Sequence, residues 1–315
     1  MSPVFDSSSL QPSLAKALPG ERYELNGQAG RLSYYVASPG DNSPSNRQET
    51  RPLLLIHSIN AAASAHEMLP LFEYYKAKRP VYAPDLPGYG FSDRSRRAYS
   101  PRLMTDALHD MVQQIHRDCG KTAVDALGLS LACEFLSRAA VEAAESFRAL
   151  GLVSPTGFNR KKPLQAESGT DRGIRTVLRL LTLPGFGKGL FRLLVSPSSI
   201  RFFLQKTWGS KAIDEHLYDY ACQTARLAGA EWAPFYFLSG FLFSADINAV
   251  YASLTKPVWM CHGVRGDFTD YRLKRYFENR TNWHVQVFET GAMPYFESRT
   301  EFMAAWDEFL EAQRE

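Results

Sequence analysis

At 315 residues, with 45% hydrophobic and 22% charged residues, the chain is long enough for one large α/β domain or a core with an inserted subdomain, and its composition excludes a small disulfide scaffold and bulk disorder. The 36 Lys and Arg residues against 33 Asp and Glu leave a formal charge of +3, too little for a phosphate-tracking surface, so nucleic acid is not an expected partner. Cys119, Cys133, Cys222 and Cys261 are far apart and show no zinc-ligand spacing, so reduced structural thiols, no metal and no cofactor are expected.

Met1 to Gly20 lacks the basic start and apolar run of a secretory signal. The longest apolar stretch, Ala233 to Phe243, is broken by Ser239 and Gly240 and falls far below the ~18 residues needed to span a bilayer. A cytoplasmic location is the expectation. Residues 21–38 read as two β-rich runs around Asn26-Gly27, a hairpin signal, and the polar stretch Pro39 to Arg51 as a surface loop. Apolar runs follow at Pro52–Ile56, Pro80–Ala83, Ala123–Leu127 and Ala149–Val153, alternating with helical periodicity over Ser64–Lys76, Pro101–Arg117 and Leu131–Glu145. Such alternation predicts a mostly parallel sheet with helices on both faces. After Ser154-Pro155 it stops for roughly a hundred residues that read as helical. It resumes with Pro257–Cys261, a helix near Tyr271–Asn279, the strand His284–Phe288 and a final helix from about Ser298 to Ala312. The expected division is an N-terminal segment over 1–20, a core over 21–155 and 247–315, and a helical insertion over 156–246.

In an open α/β sheet, ligands bind outside the carboxyl ends of the strands. Ser130 sits there, in Gly128-Leu129-Ser130-Leu131-Ala132, where a strand passes abruptly into a helix. Small residues two positions either side let strand and helix approach closely around a strained serine. An ordinary strand-to-helix turn with a Ser N-cap is the plain alternative. The other Gly-x-Ser, Gly90-Phe91-Ser92, lacks the second small residue.

Taken with its neighbours, this segment resembles the α/β-hydrolase superfamily, over essentially residues 21–315. His57-Ser58-Ile59-Asn60 is similar to the family's oxyanion loop, with Ser58 in place of a glycine, and Asp85-Leu86-Pro87-Gly88-Tyr89-Gly90-Phe91-Ser92 to its Asp-x-Pro-Gly-x-Gly-x-Ser turn. An acid follows the next strand after the insertion, in His262-Gly263-Val264-Arg265-Gly266-Asp267. The resemblance implies an α/β-hydrolase fold with a helical cap. It makes Ser130 the nucleophile, the N–H groups of Ile59 and Leu131 the oxyanion donors, and Asp267 the acid that orients a base. Asp270 reads better as an N-cap. An Asp nucleophile, as in dehalogenases and epoxide hydrolases of this fold, is disfavoured by the serine at 130.

The family's base lies in a Gly-His-x-Pro-like segment after the last strand, and this chain has Gly291-Ala292-Met293-Pro294-Tyr295-Phe296-Glu297. Ala292 can neither accept nor return a proton, so the Ser-His-Asp relay is incomplete and acyl chemistry is expected to be slow or unconventional. Three readings stay open: an engineered replacement, a substitute base among His57, His262, Tyr295 or Asp267 itself, or a protein that binds a ligand or partner without hydrolysis. The gibberellin receptors of this superfamily, esterase-like and without the histidine, exemplify the last. Were the hydrolase geometry of Ser130 and Asp267 intact, a histidine at 292 would rebuild the relay.

The insertion would set specificity. Trp232, Phe235 and Phe237 could line a channel for an apolar ester- or acyl-like small molecule, or pack cap against core. Arg172, Arg175 and Arg179 share one face of a predicted amphipathic helix, and Arg172 to Lys206 holds seven basic and no acidic residues. That combination suits an anionic membrane surface or an anionic lipid-like ligand, and equally a solvated basic face.

Overall fold

The computed structural model describes residues 14–39, 51–163 and 165–314. The first 13 residues and most of the expected loop, 40–50, lie outside the described residues. Eight strands, β1 (Glu21–Gly27), β2 (Gly30–Ala37), β3 (Leu53–Ile56), β4 (Val81–Pro84), β5 (Val124–Leu129), β6 (Phe147–Val153), β7 (Val258–Gly263) and β8 (Trp283–Phe288), form one sheet in the order β1-β2-β4-β3-β5-β6-β7-β8. β2 is antiparallel to β1 and to β4, and the remaining pairs are parallel. The parallel strands β3 to β6 are buried along nearly their whole length, as a sheet covered on both faces requires.

The hairpin turns at Gln28-Ala29, between Gly27 and Gly30, two residues beyond the predicted Asn26-Gly27. The reason is tertiary: the Asp110 carboxylate accepts the Ala29 N–H at 2.9 Å, and Gly30 supplies the positive φ of 93°.

Helices cover both faces. α2 (Pro101–Cys119) and α3 (Ala132–Glu142) build one apolar layer with β-strand side chains such as Leu54, Ala126 and Leu150, joined by α9 (Ile247–Ala252). α1 (Leu69–Tyr75), α10 (Pro294–Glu297) and α11 (Arg299–Glu311) build the other, around Trp259, Phe302 and Trp306. α2 starts where Ser100 accepts the Leu103 N–H at 3.2 Å with Pro101 following. The predicted helix near Tyr271–Asn279 is a short 3₁₀ turn over Arg272–Tyr276 whose N-cap is Tyr271, with no side-chain cap; Asp270, expected as the cap, lies one residue earlier, where it accepts the Arg272 N–H at 3.3 Å and pairs with the Arg272 guanidinium.

Between β6 and β7 the chain makes the helical excursion α4 (Arg175–Leu181), α5 (Phe186–Leu194), α6 (Pro197–Trp208), α7 (Glu215–Thr224) and α8 (Trp232–Leu238). It leaves and returns through a narrow antiparallel neck. Asp171 pairs with Ser244, Arg172 N donates to Phe243 O at 3.0 Å, and Ala245 N donates to Thr170 O at 2.8 Å. Arg172 therefore belongs to the neck, its Nε donating to Ser244 O, and only Arg175 and Arg179 share the helical face predicted for all three. No helix among the described residues is long and apolar enough to cross a membrane.

Candidate active site

Gly128 and Ala132 bracket the end of β5. A Cβ on Gly128 would stand 3.4 Å from the backbone of Ala132 and Cys133, so the small residue lets the helix begin almost on top of the strand. Ser130 is left at φ 56°, a left-handed conformation that costs a non-glycine residue of the order of 1 kcal/mol. Its N–H is tied to Val153 O at 2.8 Å and its carbonyl accepts the Cys133 N–H at 3.1 Å. The partly exposed Ser130 hydroxyl makes no hydrogen bond with any described residue.

Beside this turn lies the loop after β3, since Ile56 is in register with Gly128. Ile59 and Leu131 follow those two residues by three positions each, both are buried, and neither N–H donates to a described residue. The loop is held from below by Glu67, which accepts the Ser58 N–H at 2.7 Å and the Asn60 Nδ2 at 2.9 Å. Burial raises the Glu67 carboxyl above its ordinary range, against the lowering effect of these bonds. Sequence reasoning missed Glu67. Its spacing from Ser64 imitates a capping box, yet Ser64 makes no side-chain cap and Glu67 reaches the loop instead.

None of the substitute-base candidates is hydrogen-bonded to the Ser130 hydroxyl. His57 donates from Nδ1 to Ser58 O at 2.6 Å and accepts the Leu86 N–H on Nε2 at 2.9 Å, and complete burial pushes its pKa down to about 4. Both ring nitrogens are spent on the backbone. His262 is likewise committed, Nδ1 to Gly263 O at 2.8 Å and Nε2 beside Lys274 Nζ at 3.4 Å, with its ring stacked 4.0 Å from that of Tyr271. Its pKa is lowered by burial first. Tyr295 is fully buried in α10 among Phe296 and Phe302, and burial lifts its phenol well above the usual value.

Asp267, expected to face a base, turns to solvent. Its side chain is 54% exposed and pairs with Lys206 at 3.4 Å. The physical reason is the carboxyl end of α6, which packs on the loops after β7 and β8: Lys206 O accepts the Asp267 N–H at 3.1 Å and Thr207 O accepts the Ala292 N–H at 2.9 Å. Gly291 fits against this helix end only because it lacks a side chain, since a Cβ there would stand 2.6 Å from Trp208 O. Ala292 itself is buried, its carbonyl accepting the Ser154 hydroxyl at 2.7 Å. Ser154, a second serine at positive φ, 48°, was not singled out from the sequence, where only the dipeptide Ser154-Pro155 marked the strand end.

The aromatic side chains expected to line a channel mostly pack. Phe235 is buried edge-on to Phe191 and Trp232, and Phe237 stacks on Phe243. Trp232 keeps a partly exposed ring beneath Arg96. The cluster formed by Leu181, Phe191, Ala230 and Phe235 packs against Ala61, and that of Ile200, Ala221 and Ala225 against Ala62, so the excursion lies directly on the loop that carries Ile59. An open cleft lined by Pro257, Trp283, His284, Glu308 and Phe309 lies at the amino ends of β7 and β8, the end of the sheet opposite Ser130.

A family model described as "Alpha/beta hydrolase family" matches residues 53–306. Among solved structures, the chain is similar to a probable hydrolytic enzyme from Pseudomonas aeruginosa PAO1, with 18% identity, 95% of this chain and 96% of that one covered, and a TM-score of 0.68. It is similar to the epoxide hydrolase CorEH, with 17% identity, coverage of 93% and 99%, and a TM-score of 0.69. It is also similar to an esterase from Exiguobacterium antarcticum, with 14% identity, coverage of 92% and 100%, and a TM-score of 0.68. No curated protein matches the sequence. These structural likenesses speak for the fold.

Proposed function

The chain belongs to the alpha/beta hydrolase family, and on that premise we propose that it binds an apolar ester- or acyl-like small molecule at the Ser130 elbow and performs at most slow acyl transfer there. The observation that carries this reading is Ser130 itself, held at φ 56° with a hydroxyl that has no hydrogen-bond partner among the described residues, beside two buried N–H groups, at Ile59 and Leu131, that donate to no described residue. In this reading the Ser130 oxygen bonds to the ester carbonyl carbon, the two N–H groups hold the developing oxyanion, the alcohol leaves with the hydroxyl proton relayed through solvent, and water releases the acid. The helical excursion acts as a cap over the oxyanion loop, through its contacts with Ala61 and Ala62.

Ala292 stands where the family's histidine would, and the other candidates are either buried or turned away. A hydrolase that lacks a triad member retains roughly 10³–10⁴-fold acceleration over water, which sets the expected scale. A fluorophosphonate probe and p-nitrophenyl acetate test the reading. Slow labelling and weak hydrolysis, both lost in Ser130→Ala, support it. Absence of both in the folded wild type overturns the catalytic part and leaves a binding protein, the reading favoured by the outward turn of Asp267.

A further inference from the structure

The helical excursion exposes what a water-facing surface normally hides. Eight of the 15 large apolar side chains exposed among the described residues fall between Ile174 and Phe203. α5 is apolar on two sides: Phe191 packs inward against Phe235, while Phe186, Leu190 and Leu193, spaced by four and three, look outward, Leu193 at 69% exposure. The connection from α4 to α5 presents Leu183 and Pro184 to solvent, where a surface turn is ordinarily polar.

The charge beside this apolar surface has one sign. Between Asp171 and Asp214 the sequence holds no acidic residue. Lys188 finds a partner in Glu231 at 3.7 Å, but exposed Arg175, Arg179 and Arg192 form no ion pair with any described residue. Two copies meeting through a two-fold axis would set these arginines against one another. A surface that offers both apolar depth and negative charge satisfies both features, and this is the arrangement by which interfacial helices settle into a bilayer. We infer that the α4–α5 pair is a peripheral docking surface for a bilayer rich in anionic lipid, its Leu and Phe side chains entering the acyl boundary and its arginines lying at the headgroups.

The experiment is sedimentation of the full-length protein with vesicles of phosphatidylcholine alone and with 30% phosphatidylglycerol. The protein should favour the anionic vesicles, and 0.5 M NaCl should weaken that binding. Arg175→Gln/Arg179→Gln/Arg192→Gln should lower the affinity by roughly 100-fold, from the usual contribution per basic residue at such a surface. Leu183→Ser/Leu193→Ser should reduce it while leaving the initial salt-sensitive attraction. All five positions are exposed, and circular dichroism with thermal melts verifies that the variants are folded. Equal binding to both vesicle types, no binding to either, or variants that bind as wild type does would overturn the inference. So would concentration-dependent dimerisation in gel filtration that the Leu variants abolish, which would assign the face to a second copy.

Discussion

Ala292 and Asp267 are separate problems at the scale of single residues. A histidine introduced at 292 would need an acid on its far nitrogen, and the Asp267 carboxylate is instead paired with Lys206 in solvent, while the Ala292 backbone is held to the end of α6 through Thr207. Ala292→His alone is therefore expected to raise p-nitrophenyl acetate hydrolysis by less than about tenfold, short of the ~10²-fold lower bound for a working general base. Initial rates with and without Ser130→Ala in the same background check this, and a gain of 10²-fold or more would mean that the Asp267 loop turns inward. His57 makes a different prediction. Its ring stays neutral in the folded state down to about pH 4, whereas the unfolded ring takes up a proton near 6.5. The unfolded state binds more protons in between, so stability is full above about pH 6.5 and falls as pH drops towards 4. At pH 5 the loss through this ring is about 2 kcal/mol. The buried carboxyls Glu67, Asp85 and Glu134, raised by burial, act in the opposite sense. Urea unfolding of wild type and His57→Gln between pH 7.5 and 5 isolates the effect, and parallel curves would refute it.

Among the elements, the neck of the excursion is the most interdependent. Asp246, just before α9, accepts two hydrogen bonds from Arg138 of α3 at 2.6 and 3.2 Å and one from Gly169 N at 2.8 Å. Glu134, one turn earlier on α3, accepts the Ser244 N–H at 2.8 Å and the Thr156 hydroxyl at 2.5 Å. The helix that begins at the Ser130 elbow thus also anchors both strands of the neck. Asp246→Ala leaves a buried guanidinium uncompensated, and a loss of about 3–5 kcal/mol is expected, measurable by urea unfolding, with Arg138→Met in the same background recovering part of it. The strands, by contrast, stand largely on their own sequence. Val124–Leu129 and Phe147–Val153 fall within a few residues of the predicted runs, because a strand buried on both faces must be continuously apolar. The hairpin turn and the 3₁₀ segment over Arg272–Tyr276 escaped, since an acid 81 residues away selects the first and periodicity does not separate a single tight turn from a helix in the second.

Across the whole molecule, what was legible in the sequence was local. The elbow, the loop after β3 and the Asp-Leu-Pro-Gly turn are contiguous strings, and the small residues of the first and last are needed by their own backbone geometry. Gly90, for example, lies against the Asp85 carboxylate, which accepts the Ala65 and Phe91 N–H groups at 2.9 Å each. What was not legible is assembled from distant parts: Glu67 beneath the loop after β3, and the end of α6 against Ala292 and Asp267, some 60 to 85 residues away along the chain. No pattern within either segment announces such a meeting. The neck carries a consequence of another kind. Because residues 171 and 244 stand side by side, closing the span between them asks nothing of the strands on either side, and α4 and α5 come before the end of α6, where the span is tied again to the loops after β7 and β8. The α4–α5 part behaves as a cassette. The outward faces of α4 and α5 can be recharged or reshaped while the elbow, the strand order and the α6 contacts stay untouched, so the surface that meets the outside world and the residues around Ser130 are free to evolve at different rates.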